Sequence, residues 1–563
     1  MSPSSGRAES LEGLRLRLAR SRTAPVIGLI GVLVAVFALN LWARHGDYFF
    51  YDEYQIVLHF YGLEGLLHPS NGHPVIMWLA PYYLMRSTIG LESALAYEVL
   101  GILAGLVAAC LLFVAVRRRA GGWPALVAAI LLLFIGSGVD PFFWSFELAF
   151  AGSVSCGLGA ILLLDGDTRR GDALAAVLLI ASVFFLLVGL TFVAAAAVAI
   201  LLAADGRGWN RRLRRFAWVI GPVAILFVAW YLGYGHLSPS RLTTDNILAS
   251  PGFVVDGLGA TIVFILGLGV SDHSAFLDNF SVPVLLGTLA LIGRRLTLPQ
   301  PVSRRVWIWV VGLFAFWVLT AFNSPVDGGP TLGRYLYPSA VFMLLIAAEL
   351  IRGLRLGLVA ATLAAVVVLV AVLGGGAAVN DGRHPLNEEA KKLAANLGAL
   401  EIARDTISPK VQLVESLSGT PFEEVVDAGS FFKSADRYGS PALSPEEILT
   451  QPEAYRETVD GILRAVLPVT LEAGAPKPAT AGSCFDLEAG SGIVTTGSVW
   501  LEAGPEGATP PLRRFADTPA PIGELGPGES ALIAIPADRS EVPWHLLVGE
   551  GQAQACGATV QAE

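Results

Sequence analysis

Apolar residues run in blocks of nearly bilayer-spanning length through the first two thirds of the chain, with short polar stretches between them. Blocks near 25–43, 94–116, 122–137, 149–165, 172–189, 191–204, 216–234, 281–293, 306–322, 337–351 and 356–374 predict about eleven crossings. A further apolar stretch at 253–270 carries Asp256 and several glycines, and we read it as re-entrant or peripheral. Beyond Gly374-Gly375-Gly376 the pattern changes. Amphipathic runs from Asn387 to Arg404 and from Pro452 to Leu467 predict helices separated by loops. After a Pro/Ala-rich linker at 474–482, apolar runs at 492–503, 510–522, 530–536 and 543–549, broken by Gly and Pro, predict a small β-sandwich.

Composition agrees with this pattern: 54% of the 563 residues are hydrophobic and 15% charged, which excludes an ordinary soluble globular chain. The net charge of -9 is segregated, with most acids beyond Asp381 and the arginines in short loops. Arg7, Arg15, Arg17, Arg20 and Arg22 precede the first block and no small-residue cleavage site follows, so this end reads as a cytoplasmic anchor. The basic loops at 117–119, 169–170, 211–215, 294–305 and 352–355 are all cytoplasmic if 253–270 does not cross. The 44–93, 138–148, 236–280 and 323–336 regions and the whole tail then share the outer side, with all eight histidines. The expected fold is a polytopic α-helical membrane protein of about eleven spans in the plasma membrane, with an extracytoplasmic C-terminal α/β region ending in a β-sandwich. Its divisions are a cytoplasmic segment 1–24, a transmembrane domain 25–376, a mainly helical outer region 377–475 and a β-module 476–563.

Cys110 and Cys156 sit in apolar runs, whereas Cys484 and Cys556 bracket the β-module, where an oxidising compartment favours a disulfide between them. No cysteine spacing matches a metal knuckle or redox pair. No phosphate-binding glycine loop, serine nucleophile elbow or kinase motif occurs, and the acidic exposed tail speaks against nucleic acid. Trp500 and Trp544 of the β-module either stack on sugars or belong to its core.

Chemistry concentrates in the first outer loop, where Asp52-Glu53 lies within Tyr51-Asp52-Glu53-Tyr54 just past the first span. Acids beside a bilayer are costly and ask for a reason. Asp52, Gln55 and His59 recur at helical spacing, so Asp52 is either a helix N-cap or part of a site. His59, His68 and His73 with a carboxylate match no standard zinc spacing. The segment from Leu67 to Pro74 breaks the chain, and Val75 to Met85 resumes as an amphipathic surface helix ending at Arg86, which either snorkels to headgroups or binds a lipid phosphate. A site on the outer face works where nucleotide-sugars are absent, so any transferred group arrives on a membrane carrier.

These features, in order, resemble the GT-C membrane glycosyltransferases, especially the protein O-mannosyltransferase and aminoarabinose transferase branch that uses polyprenyl-phosphate sugars. The resemblance rests on Asp52-Glu53 after one span, His73-Pro74, the Val75 to Arg86 helix, Arg117-Arg118-Arg119 closing the second span, and Gly333-Arg334-Tyr335-Leu336-Tyr337-Pro338, similar to an Arg-Tyr-x-x-Pro helix start. The second outer loop departs from it, offering Glu147 where that branch presents an aspartate.

The resemblance implies a sugar donor on polyprenyl phosphate, an envelope glycan or glycolipid acceptor, and one inverting displacement. Asp52 is then the general base, with Glu53 orienting it. Arg334 and Arg86 hold the donor phosphate, and His59, His73, Glu147 and Tyr335 position acceptor or substrate. No cofactor is implied, and a divalent metal is not favoured because the donor has no pyrophosphate to bridge. The alternative is a non-enzymatic lipid-linked sugar flippase or polysaccharide export protein. Its charged path through the spans is not seen in the sequence, whose spans are nearly free of charge.

Overall fold

A computed structural model describes residues 23–44, 48–49, 53, 65–70, 72–135, 148–203, 208–238, 242–268, 273–323, 329–354, 357–411, 427–477 and 482–563. The chain forms two compact units: Met1–His45, Tyr61–Leu84 and Leu95–Leu386 in one, Gly46–Phe60, Met85–Ala94 and Asn387–Glu563 in the other.

The first unit is helical: α1 Ala24–Ala43, most of α2 Ile76–Thr88, α3 Leu95–Ala120, α4 Gly122–Leu133, α5 Leu148–Leu164, α6 Arg169–Phe185, α7 Gly189–Leu201, α8 Trp209–Gly233, α9 Thr244–Ile265, α10 His273–Leu296, α11 Val306–Asn323, α12 Gly333–Ile351 and the first part of α13 Leu358–Ile402. Every apolar block expected to span falls on one of these helices. Seven of them among the described residues, α1, α3, α8, α9, α11, α12 and α13, are long and apolar enough to cross a bilayer. Small residues let them approach closely. The Phe192 ring occupies the space a Cβ at Gly157 would need, and Phe342 does the same at Gly312. Gly121, at φ +94, turns the chain between α3 and α4, a conformation that L side chains rarely adopt.

The basic loops meet at one end of the bundle. Arg119 at the end of α3 pairs with Asp165 after α5 and lies 3.6 Å from Glu349 of α12, while Arg305 before α11 joins the same Asp165. Arg215 of α8 forks onto Asp172 of α6 at 2.6–3.0 Å. Arginines also cap carbonyls that helix ends leave unpaired: Arg118 donates to Leu162 O, Arg215 to Leu164 O, Arg212 to Leu201 O and Arg295 to Leu350 O. The residues that a hydropathy argument uses to orient the chain are thus also the bolts of that end.

Helix α9 takes in most of the stretch read as re-entrant or peripheral, and its contacts place it. Asn246 donates to Phe322 O, Gly257 packs on the Trp317 indole, Gly259 on the Ser281 carbonyl, and Thr261 Oγ1 bonds Ser339 Oγ at 2.9 Å. At 1.5 Å per residue, these partners lie about 15 to 25 Å along their own helices from Arg305, Arg295 and Glu349. Gly267, just past α9, packs on Ala371, about 20 Å along α13 from its start. These contacts of α9 and of Gly267 lie toward the half of the bundle remote from the arginines.

The second unit holds the rest of α13, then α14 Ala428–Tyr438, α15 Pro445–Leu449 and α16 Glu453–Val466, followed by ten strands. Helix α13 runs unbroken through Gly374 to Gly376 and Pro385, so the last expected span and the expected Asn387–Arg404 helix are one element. The strands are β1 Thr470–Ala473, β2 Ser483–Glu488, β3 Gly492–Thr495, β4 Val499–Ala508, β5 Pro511–Arg513, β6 Ala520–Pro521, β7 Ser530–Ala534, β8 Trp544–Leu547, β9 Gly551–Gly557 and β10 Gln561–Ala562. They form two five-stranded antiparallel sheets, ordered β1-β7-β4-β9-β2 and β10-β3-β8-β5-β6. Alternate residues along β3, β7 and β8 are buried, as a sandwich core requires. The strand β1 precedes the residue-476 start expected for this module and pairs with β7.

Cys484 and Cys556 are directly opposed on β2 and β9 and are disulfide-bonded, as their position predicted. Trp500 and Trp544 are 4% and 1% exposed: Trp544 lies in the sandwich core, Trp500 lies on the outer face of β4 under Ala475 and Lys477, and neither offers a face to a sugar. Asp460 of α16, 1% exposed, accepts backbone N–H bonds from Arg514 (2.8 Å), Phe515 (3.0 Å) and Ala516 (3.1 Å), and so fixes the helical part to the sandwich. Burial pushes its carboxyl above the ordinary aspartate range, an effect that these bonds partly offset.

Candidate active site

In the first unit Leu67, His68, Ser70 and His73, which precede α2, are held by backbone and aromatic contacts. Gly72, at φ +76, allows the Ser70–His73 bridge, whose N–H···O distances are 3.1 and 2.8 Å. Trp230 Nε1 of α8 donates to Leu67 O at 2.8 Å, and His68 packs edge-on to Tyr234 with centroids 5.8 Å apart. His73 is half-buried in this turn, and His68 is a packing residue. Among the described residues no group of three His, Cys, Asp or Glu side chains is placed to hold a metal ion.

Helix α2 follows with Trp78, Leu79 and Tyr82 buried, continuing the buried Val75 just before it, and Met77 and Leu84 exposed. This matches the amphipathic helix expected there. Pro81 interrupts its hydrogen bonding but sits on the half-exposed side. Tyr82 packs on Trp78 and on Tyr97 of α3, with centroids 6.0 and 5.3 Å apart.

In the second unit Glu53 is 1% exposed, and a buried carboxylate is costly unless it is paired. Arg86, 4% exposed, has its guanidinium 4.6 Å from the Tyr438 ring, and Arg437 stands 5.2 Å from the same ring. The segment carrying Arg86 docks through backbone contacts, because Leu91 N donates to Tyr438 O at 2.8 Å. Gly90 and Gly439, both at positive φ, leave no room for a Cβ against Tyr438 O and Glu92 respectively. Arg86 therefore does not snorkel to solvent; it is built into a stacked basic cluster. Asp52, His59 and Glu147 lie outside the described residues.

The Arg334-Tyr335 motif occupies the first turn of α12. A cation at a helix N-terminus opposes the helix dipole, so guanidinium and dipole together favour an anion at that position. Arg334 stands 5.5 Å from the Tyr335 ring, and both are half-buried. One turn on, Tyr337 lines a cavity of about 40 Å³ with Val36 and Asn40 of α1 and Gly101 and Gly105 of α3.

Sequence reasoning passed over an ion pair in this unit, Arg44 after α1 with Glu98 in the first turn of α3, 3.8 Å apart and almost fully buried. Its signal was present: an acid at the start of one apolar block and an arginine at the end of the one before. Glu98 is also well placed for the α3 dipole. Asn40, 4% exposed inside an apolar helix, was likewise missed.

No family model matches the chain, and no curated protein matches it. Solved structures similar to it include ArnT from Cupriavidus metallidurans bound to undecaprenyl phosphate, with 14% identity over 75% of this chain and 90% of that one and a TM-score of 0.42. The same protein in the apo state has 12% identity over 76% and 90%, with a TM-score of 0.44. Arabinosyltransferase EmbB from Mycobacterium smegmatis has 12% identity over 95% of this chain and 64% of that one, with a TM-score of 0.34.

Proposed function

We propose that the chain is a membrane glycosyltransferase that moves a sugar from a polyprenyl-phosphate donor to a hydroxyl of an envelope glycan or glycolipid on the outer side of the membrane. The observation that carries this reading is the Asp52-Glu53 pair just after the first apolar helix, with Glu53 buried. Asp52 takes the proton of the acceptor hydroxyl as that oxygen bonds to the anomeric carbon from the face opposite the phosphate. The bond from that carbon to the phosphate oxygen breaks, and the phosphate leaves on its lipid, giving inverted stereochemistry. Glu53 holds Asp52 in place. Arg334 and the α12 N-terminus neutralise the departing phosphate, and Arg86 is a second cation for the lipid headgroup. A monophosphate donor leaves no pyrophosphate for a divalent cation to bridge, so transfer proceeds without metal. The Cys484–Cys556 disulfide supports an outer, oxidising location for the second unit.

The test is transfer of radiolabelled sugar from a panel of polyprenyl-phosphate donors to envelope acceptors by purified protein, with and without chelator. An Asp52→Asn variant of equal abundance and thermal stability is measured in parallel. Transfer by the parent, unaffected by chelation and lost in the variant, is the expected result. Activity retained in Asp52→Asn removes Asp52 from catalysis and moves the base to Glu53 or Glu147. Lipid-sugar binding without transfer from any donor overturns the enzyme reading in favour of a carrier.

A further inference from the structure

The cavity of the first unit carries more than packing. Its volume of about 40 Å³ is roughly three times the least that holds a water, so it takes a few heavy atoms and not a whole chain. Gly101 and Gly105, four residues apart, share a face of α3 and put no side chain into it. Glycines at this spacing in membrane helices commonly admit a neighbouring backbone. A Cβ built on Gly105, however, meets no atom within 4 Å, so the space beside it is open. The other lining groups are apolar except Asn40 and Tyr337.

The position is equally specific. Gly105 lies about 21 Å along α3 from Arg119, and Tyr337 about 18 Å along α12 from Glu349, so the slot is remote from the arginine end. Tyr337 follows Arg334 by three residues on the same side of α12. An apolar slot one turn from a cation at a helix N-terminus fits an amphiphile with an anionic head and a hydrocarbon tail.

We propose that the slot receives the methyl branch of the isoprene unit nearest the donor phosphate, and that Gly101 and Gly105 are specificity-determining residues for a branched isoprenoid over a straight acyl chain. This rests on the lipid-phosphate reading of Arg334 given above. A slot of this size accommodates a branch, and a straight chain has none to insert.

The test uses the full chain in nanodiscs with Gly105→Leu, Gly105→Ala as a milder filling variant, and Gly221→Leu on α8 as a control where added atoms also meet open space. Expected is a rise in KM of about tenfold or more for a polyprenyl donor in Gly105→Leu at unchanged kcat. A smaller rise is expected in Gly105→Ala, and none in Gly221→Leu or with a straight-chain alkyl-phosphate donor. An unchanged KM for the polyprenyl donor overturns the proposal. So does an equal loss with both donors, which would make the slot a packing feature or a seat for bilayer acyl chains. Photolabelling of the parent with a diazirine-bearing isoprenyl phosphate separates this proposal from the functional one. Labelling of residues 101–106 supports the slot whether or not sugar transfer is found, and a parent that transfers sugar without labelling there overturns the slot alone.

Discussion

Replacing Asp460 by Ala removes the one acceptor shared by three consecutive backbone N–H groups, those of Arg514, Phe515 and Ala516. The carboxylate is 1% exposed, so water does not simply take its place. Each orphaned buried donor costs about 1–3 kcal/mol. Relief of the desolvation of a buried carboxylate and local relaxation offset part of that sum. The expected net loss is about 3 kcal/mol, the range of a broken buried network, and is confined to the junction of α16 with the sandwich. Hydrogen exchange on the full-length protein reads it at the amides concerned. A loss of about 3 kcal/mol accelerates exchange at 514–516 roughly a hundredfold if they open locally. Asp460→Asn keeps one oxygen and the volume but turns an amide donor toward backbone donors, so its effect falls between parent and Ala. Exchange at 514–516 in Asp460→Ala equal to that of the parent would refute the reasoning, since those amides would then be protected by something other than this carboxylate.

Ser339→Ala strips the acceptor shared by Trp317 Nε1 and Thr261 Oγ1, each 2.9 Å away, and is expected to cost about 1–2 kcal/mol, seen as a lower midpoint of thermal unfolding in nanodiscs and altered Trp317 emission. Cys484→Ser with Cys556→Ser frees a loop with a sequence separation of 72 and is expected to destabilise the β-module by about 4 kcal/mol on the chain-entropy account, measured by denaturant unfolding under non-reducing conditions. The two exposed acids Asp405 and Asp517 are held below the ordinary aspartate range by hydrogen bonds from Arg539 and Arg456. What they contribute is present above the ordinary pKa of 3.8 and is lost as pH falls through their folded values. The raised Asp460 acts in the opposite sense, its contribution falling as pH rises from 3.8 through its folded value. Acid titration of Arg539→Ala and Arg456→Ala variants, followed by proteolysis of the second unit, should show a shallower acid loss than the parent.

What the sequence determined by itself was whatever depends on neighbours along the chain. Hydropathy is a sum over about 20 consecutive residues, so each expected span reappears as a helix, and the amphipathic Val75 to Arg86 segment reappears as α2. Two cysteines at the borders of a β-rich segment were enough to foresee their bond. Helix α13 shows the limit of local punctuation: three glycines read as a boundary, yet the helix passes through them, because glycine weakens a helix by only about 1 kcal/mol per residue and flanking turns can carry it.

Tertiary structure decided whatever depends on which elements become neighbours. Arg86 met Tyr438 because Gly90 and Gly439, far apart in sequence, let two backbones close on each other. Trp544 went inward because its position on β8 faces the sandwich core, whereas Trp500, on the opposite face of β4 from Val499 and Leu501, is covered by Ala475 and Lys477, neither of which composition can reveal. Arg44 and Glu98 paired across two helices whose order in the bundle no hydropathy plot contains. Helix α9 found its neighbours in Trp317 and Ser339, through Gly257 and Thr261, contacts that its own apolar sequence does not specify. Burial in a membrane is a property of a segment, and a segment's own residues can specify it. A site or a crossing is a property of contacts between segments, and those exist only once the chain has folded.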